Sequence, residues 1–440
     1  MGKEKLWSGK ETMFGTYEFP TLEEIVDDYS REFQEYIQPK GENIFGFWMQ
    51  TIADIEFLDL ELAGLTEKYK IDPVSRTVEM QGDLEFIRMR IAHLERVGGG
   101  KTLYAEFVDT FGDTNAYAFH NLYPYKGKFY PRVVRTLINA FKLDKDSLLL
   151  DPFNGSGTTT HEASLMGIRS VGVDITPVGV MLARLKNDLV FKGEDFFALD
   201  TKDLVEIFRE IENKRWEISD NTLKDLMLVL YFDTVDAFMR TSSYDKTGKV
   251  GLFIKKFNYI KSCYLKTKEI RDRYGLEFSS AQILEGDALE LKEIKEFEGK
   301  FDAVITSPPY YFSIDYVGKD KIAYDYLGID MKKIEAKYLG MKSSGKLGRY
   351  YGNLPLKVAM YYEDLRQSIE NIFWALKPGG KLAIIVGDST VGGKKIPTTI
   401  MTKNFCEEVG FKFKRLIFNP LLGARNRAIR GESTIICEKP

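Results

Sequence analysis

A chain of 440 residues with 44% hydrophobic and 29% charged residues is neither fibrous nor intrinsically disordered, and it has length for two or three lobes or one enlarged domain. A net charge of −3 excludes a uniformly basic polyanion binder, so any nucleic-acid surface must come from local patches. The three cysteines, Cys263, Cys406 and Cys437, lack paired or histidine-flanked spacing, which argues against a disulfide frame and against a zinc site.

In chain order, the first residues, MGKEKLWSGKETMFG, have no apolar middle of the kind a signal peptide needs, and Leu6 stands where a myristoylation motif wants Ser or Thr. No stretch approaches the roughly 20 apolar residues of a membrane span, and the expected location is cytoplasmic. Residues 1–115 are expected to be a mainly helical region. TLEEIVDDYSREFQEYI has Thr21 as its N-cap and apolar residues at Ile25, Tyr29, Phe33 and Ile37, while DLEFIRMRIAHLERV supplies a second helix. GGGKT (Gly98–Thr102) resembles the tail of a phosphate-binding loop but lacks the required first glycine, since position 95 is Glu95, and it is expected to be a linker.

Residues 116–190 change to a strand-then-helix rhythm: SLLLDPF, a glycine-rich turn, TTTHEASLMG, then RSVGVDI. The rhythm lapses over residues 191–279 into a helical and basic insertion. It resumes over 280–440 with AQILEGDAL, FDAVITSPPY, YYEDLRQSIENIFWAL, KLAIIVGD, TTIMTKNFCEEVG and a closing pair, FKFKRLIFN and ESTIICEKP, that could form a hairpin. Such alternation predicts an α/β fold, a doubly wound and mostly parallel sheet with helices on both faces.

Chemistry concentrates at the strand ends. Asp151 closes one strand ahead of Gly155-Ser156-Gly157, where missing side chains let a ligand approach the backbone and a helix N-terminus favours an anion. Asp174 ends the next strand, suitably for a ribose, and Asp287 follows the third. Each acid could simply cap a helix; their recurrence beside a glycine turn favours a nucleoside cofactor. Three basic stretches carry interleaved aromatics or clustered arginines. Lys246–Lys268 includes Lys255, Lys256 and Lys261 among Phe253, Phe257, Tyr259 and Tyr264; Lys337–Lys357 includes Lys342, Lys346 and Arg349; and NPLLGARNRAIRG includes Arg425, Arg427 and Arg430. Each could be a solvated face, but the three together favour a polyanion partner.

DPFNGSGTT followed by TSPPY resembles the pair of signature motifs of the S-adenosylmethionine-dependent DNA amino-methyltransferases, over about residues 117–190 and 280–440. The resemblance implies a Rossmann-like seven-stranded sheet with a reversed last hairpin. It also implies S-adenosyl-L-methionine as cofactor and DNA as partner, with a separately encoded restriction endonuclease as a further partner if the chain belongs to a restriction-modification pair. Gly155, Ser156, Gly157 and Thr158 would hold the methionine end, Asp151 its amino group, Asp174 the ribose and Asp287 the adenine. Phe153 and Ala288 would stand beside them, with Lys128 and Phe129 from FHNLYPYKGKFYPRVVRTLI packing over the cofactor.

The catalytic set would be Ser307, Pro308, Pro309 and Tyr310. Ser307 and the Pro308 carbonyl would accept hydrogen bonds from an exocyclic amine and direct its lone pair at the sulfonium methyl, while Tyr310 stacks on the base. The base must be flipped or single-stranded to reach such a pocket. Ser at the first position of the motif tilts the target towards cytosine N4; adenine N6 and an amine in RNA are the alternatives. A catalytically silent binding module is disfavoured because the motif is intact. Carbon-5 methylation is disfavoured because no cysteine follows a proline. The insertion at 191–279 and the basic loop at 317–357 are the expected target-recognition segments.

Overall fold

The computed structural model describes residues 43–47, 49–125, 127–240, 248–310, 318–341, 355–391, 394–420 and 431–440. The expected helix at 21–37, residues 342–354 of the basic loop with Lys342, Lys346 and Arg349, and Arg425 and Arg427 lie outside them.

Seven strands form the main sheet: β1 (Leu148–Asp151), β2 (Arg169–Asp174), β3 (Ala281–Glu285), β4 (Phe301–Thr306), β5 (Leu376–Gly387), β6 (Lys412–Pro420) and β7 (Gly431–Glu438). Their order is β3-β2-β1-β4-β5-β7-β6, with β7 antiparallel to both its neighbours and the pairs from β3 to β5 parallel. This is the sheet with a reversed last hairpin that the resemblance implies.

The strands alternate between two cores, as side chains on a pleated strand must. Leu149, Ala303, Ile305, Ala383 and Ile385 join one apolar cluster. Leu150, Val304, Leu382 and Ile384 join the other. Helices α1 (Pro131–Ala140) and α2 (Thr158–Leu165) cover the first face through Val134, Leu137, Ile138 and Ala163. Behind the second lie α7 (Leu356–Ala375) and α8 (Thr398–Val409), with Leu365, Ile369, Ile372 and Phe405, and α3 (Pro177–Leu189) packs Val180 and Ala183 on Ile283 near the β3 edge.

The described residues before 116 contain more than the helices expected of a mainly helical region. Helices Ile52–Leu65, Leu84–Arg90 and Leu103–Phe111 are present, but a three-stranded antiparallel sheet of Ile44–Gly46, Thr77–Gln81 and Lys68–Asp72 accompanies them. Val78 and Met80 alternate inward on its central strand, and Asp72 accepts from the amides of Val74 and Ser75 to close the hairpin turn. The helix expected through Val97 ends at Arg90, because Ile91 turns extended and buries itself with Leu94 and Val97. The expected linker GGGKT is a tight hairpin: Gly98 and Gly99 both take positive φ, as a two-residue turn of that hand requires, and Arg96–Val97 pairs with Gly100–Lys101.

The insertion forms α4 (Thr201–Glu212), α5 (Asn221–Arg240) and α6 (Gly248–Tyr274). Its apolar residues share one cluster with Phe107, Tyr117 and Phe119 upstream, with Leu182 and Leu185 of α3, and with Tyr324 beyond β4. It is therefore packed into the body of the protein. No described helix is long and apolar enough to cross a membrane.

Candidate active site

Parallel strands deliver their last residues to one edge, and a cleft opens there where the strand order reverses beside β1. Among the sequence-selected residues, Phe153, Gly155, Asp174, Asp287, Ala288, Ser307 and Pro309 line it together. The cleft is open to solvent, and the space between its walls, open solvent included, is about 640 Å³.

The turn after β1 is built around Asp174. Its Oδ2 accepts from the Gly155 amide at 2.7 Å and its Oδ1 from the Thr176 amide at 2.8 Å, so the acid at the end of β2 fixes both the glycine turn and the start of α3. Burial raises the Asp174 carboxyl above its ordinary range. An ionised carboxylate has roughly four lone-pair sites, which leaves acceptor capacity for hydroxyl donors. Gly155 has φ of +49°, and a Cβ there would come within 3.3 Å of the Tyr125 ring, so ring and bare backbone meet across the cleft wall. Asp287 lines the cleft and also caps the short helix behind it, accepting from the Leu289 amide at 2.9 Å. Capping and lining coexist in this residue.

Several selected residues stand behind the wall instead. Asp151 is fully buried; its Oδ1 accepts from Thr306 Oγ1 at 2.6 Å and from the Phe153 amide at 3.1 Å, while its Oδ2 has no partner. Burial pushes this carboxyl up to about 6. An orphaned buried carboxylate oxygen next to the cleft-lining Pro152 and Phe153 suits a cationic donor such as an amino group.

Ser156 turns away to accept from the buried Lys186 ammonium at 3.2 Å. Gly157 is needed for helix packing, because a Cβ there would lie 2.8 Å from that of Ala183. Thr158 is buried as the first residue of α2. None of the three lines the cleft.

Lys128 and Phe129, expected over the cofactor, are also elsewhere. Lys128 Nζ donates to the His120 carbonyl at 2.6 Å, and burial lowers it to about 8. Phe129 packs into the core beneath β4 and β5 and faces a second, smaller recess. Two neighbours from the same segment, Tyr125 and Gly127, line the cleft in their place. A lysine surrounded by carbonyls and a phenylalanine beside apolar strands follow local satisfaction, which the order of residues does not display.

The Ser307–Tyr310 turn leaves β4 with Ser307 and Pro309 at the cleft and Pro308 buried. The Tyr361 hydroxyl of α7 donates to the Pro309 carbonyl at 3.0 Å, pinning the turn. Tyr310 is 7% exposed and its hydroxyl donates to Glu432 Oε1 at 2.7 Å, so the expected open stacking ring is instead held in the wall. One turn along α7, Asp364 accepts from the Gly340 amide at 2.6 Å. That contact anchors the strip Lys337, Tyr338 and Leu339, which closes the far side of the cleft. Sequence reading placed this strip only in a basic loop; the signal that it has a fixed course was Gly340, whose positive φ lets it press on Tyr361.

The recognition face expected on α6 is mostly core. Phe253, Phe257 and Tyr264 are buried. Lys256 pairs with Asp233, and Lys261 donates to the Phe197 carbonyl at 2.9 Å. Lys255 is exposed, and Tyr259 is 44% exposed.

A sheet of this order and direction, with a glycine turn after β1 and acids following β2 and β3, has the Rossmann-like class I methyltransferase fold. Residues 2–183 match the family model for N6/N4 methyltransferases, described as DNA methylase, a span that includes the glycine turn and stops short of Ser307. Over 402 residues the chain is 23% identical to the Type II methyltransferase M.BsoBI of Geobacillus stearothermophilus, an alignment covering 67% of this chain and 79% of that one. Over 198 residues it is 30% identical to the Type II methyltransferase M.MjaII of Methanocaldococcus jannaschii, covering 44% of this chain and 32% of that one. The solved rRNA methyltransferase aviRa of Streptomyces viridochromogenes aligns with a TM-score of 0.33 at 11% identity, over 72% of this chain and 87% of that one. The chain is thus similar to the N6/N4 DNA methylases over residues 2–183 and to a Type II methyltransferase over 67% of its length.

Proposed function

We propose that the chain transfers the methyl group of S-adenosyl-L-methionine to the exocyclic N4 of cytosine in DNA, by direct displacement on a base turned out of the helix. One observation carries this: Gly155, Asp174 and Asp287 of the nucleoside-type half share a cleft with Ser307 and Pro309 of the amine-binding turn. When bound, the cofactor supplies an electrophilic methyl on a sulfonium. Asp174 and Asp287 would accept hydrogen bonds from its hydroxyl and amino groups, and the unpartnered Asp151 oxygen would receive its ammonium.

Ser307 does the work on the substrate. The lone pair of an exocyclic amine is delocalised into the ring, so the nitrogen is a poor nucleophile until hydrogen-bond acceptors favour a tetrahedral geometry. The Ser307 hydroxyl and the Pro308 carbonyl are such acceptors. The proline rings hold them in place, so positioning supplies much of the rate. The exposed cations Lys255 and Lys337 lie on segments suited to contact phosphate, which supplies affinity without sequence choice. Similarity to Type II enzymes supports membership of a restriction-modification pair, with an endonuclease as genetic partner.

The test is to express the chain, digest the host DNA and RNA, and identify methylated nucleosides by mass spectrometry. N4-methylcytosine in DNA is expected; N6-methyladenine alone, or a mark confined to RNA, would overturn the cytosine assignment. Ser307→Ala should keep cofactor affinity by calorimetry and lose about a hundredfold in single-turnover methyl transfer.

A further inference from the structure

The last strand brings a carboxylate to the amine-binding turn from the side opposite the cofactor half. Ser307 Oγ donates to the Tyr310 hydroxyl at 3.5 Å, and the Tyr310 hydroxyl donates to Glu432 Oε1 at 2.7 Å. Ser307 faces the cleft, whereas Glu432 faces the second recess together with Phe129, Tyr130, Asn419 and Thr434. Tyr310, buried between them, joins the two spaces by hydrogen bonds that all run in one direction. Nothing in the sequence marks Glu432, the second residue of β7, which follows an arginine-rich stretch.

We propose that Ser307, Tyr310 and Glu432 form a proton relay that carries the proton released by the substrate amine away from the cleft, with the Glu432 carboxylate as its terminal acceptor. The inference rests on the methyl-transfer reading given above. In the transfer, the amine nitrogen bonds to the methyl carbon as the carbon–sulfur bond breaks, and the electron pair returns to sulfur, giving a neutral thioether. The nitrogen, now with one bond too many for neutrality, loses a proton to Ser307 Oγ. Ser307 passes its own hydroxyl proton to the Tyr310 oxygen, and Tyr310 passes its proton to Glu432. The carboxylate ends neutral, no oxidation state changes beyond the methyl transfer itself, and the proton leaves to water during the next cycle.

The Ser307–Tyr310 contact is long, as hydrogen bonds of an active site often are before substrate tightens them. Burial raises the Glu432 carboxyl, while the Tyr310 hydrogen bond lowers it, which brings it closer to the pH at which a base works well. Among the described residues, the titratable groups facing Glu432 are Tyr310 and Tyr130. Arg132, near Tyr130, is engaged with Asp54 at 2.6 Å, and the residues opposite Glu432 on β5 and β6, Gly387 and Asn419, are uncharged.

Glu432→Gln separates holding from proton uptake, because its amide oxygen still accepts from Tyr310 but cannot take a proton. The full chain, tritiated S-adenosyl-L-methionine and unmethylated genomic DNA are the reagents, with single-turnover rates measured from pH 5 to pH 9. General-base assistance commonly contributes about 10²–10⁴-fold, so Glu432→Gln is expected to lose at least about tenfold in rate, keep cofactor affinity and lose the acidic limb of the pH profile. Tyr310→Phe should lose a similar factor, and the double variant should be no worse than either.

A Glu432→Gln enzyme with wild-type rate and pH profile would overturn the relay and leave methyl transfer standing, as would single-variant losses that multiply in the double variant. Should Glu432→Gln fail to fold, the Tyr310→Phe profile decides: an unchanged acidic limb counts against the relay. A wild-type chain that methylates neither DNA nor RNA would overturn the function and the relay together.

Discussion

The cleft at the ends of β1 to β4 and the helical insertion of α4 to α6 were both marked in the sequence by unusual residues, and the structure treats them differently. At the strand ends, Gly155, Asp174, Asp287 and Ser307 converge on one space. In the insertion, three of the four aromatics between the lysines turn inward and two of the three selected lysines are bound by neighbouring groups. A parallel strand dictates where its last residue goes, because the sheet fixes position and direction together. A helix presents a new direction every 100° or so, and an alternation of lysine and aromatic can place one class outward and the other in the core. Composition along a helix therefore says little about recognition until its buried face is known.

The difference is broken most forcefully at Phe257. Its side chain is fully buried and meets Phe197 at 6.0 Å between ring centroids. Phe257→Ala should cost about 3–5 kcal/mol in stability, measured by denaturant unfolding. If instead the variant melts like the parent and has lost only DNA affinity, the ring is a recognition group and the contrast between the two regions fails.

A second measurement sharpens the cleft side. The Asp151 carboxyl ordinarily ionises near 3.8 and is pushed up to about 6 in the folded protein, chiefly by burial. Between these values the folded state keeps a proton that the unfolded state has given up. The stability from this group is thus full below about pH 4 and is lost as pH rises through about 6, an effect of about 3 kcal/mol. Asp225 and Glu432 also have raised carboxyls, so the wild-type slope is a sum. Subtracting the profile of Asp151→Asn isolates the residue: the variant should show a flatter fall in stability between pH 4 and pH 7. Parallel profiles would mean that Asp151 is ionised throughout and already has a cationic partner.

These contrasts explain what the sequence disclosed. Apolar runs ending in Asp151, Asp174 and Ser-Pro-Pro-Tyr revealed the sheet and its functional edge, because strand length and turn chemistry are local properties. Hidden were the features decided by distant partners. Lys128 turns to the His120 carbonyl, Tyr125 takes the place beside Gly155, and Asp364 draws Gly340 and the strip before it across the cleft. The small N-terminal sheet was legible in principle, since Val78 and Met80 alternate, but its strands are five residues or fewer and the surrounding helical pattern dominated. Glu432 had no local mark at all, for its role depends on a hydroxyl 122 residues earlier in the chain.

The smallest effect separates two adjacent lysines on α6. Lys255 is exposed, whereas Lys256 reaches Asp233. If the outer face of this helix follows a nucleic-acid backbone, Lys255→Ala should lower by about one the slope of log affinity against log salt concentration, read by fluorescence anisotropy, and change stability by no more than about 0.5 kcal/mol. Lys256→Ala should leave the salt slope alone and instead remove the ion pair with Asp233. A salt slope indifferent to Lys255 would move recognition off this face altogether. Because the two residues share helix, charge and sequence surroundings, the pair isolates what the insertion contributes at its surface from what it contributes to the core.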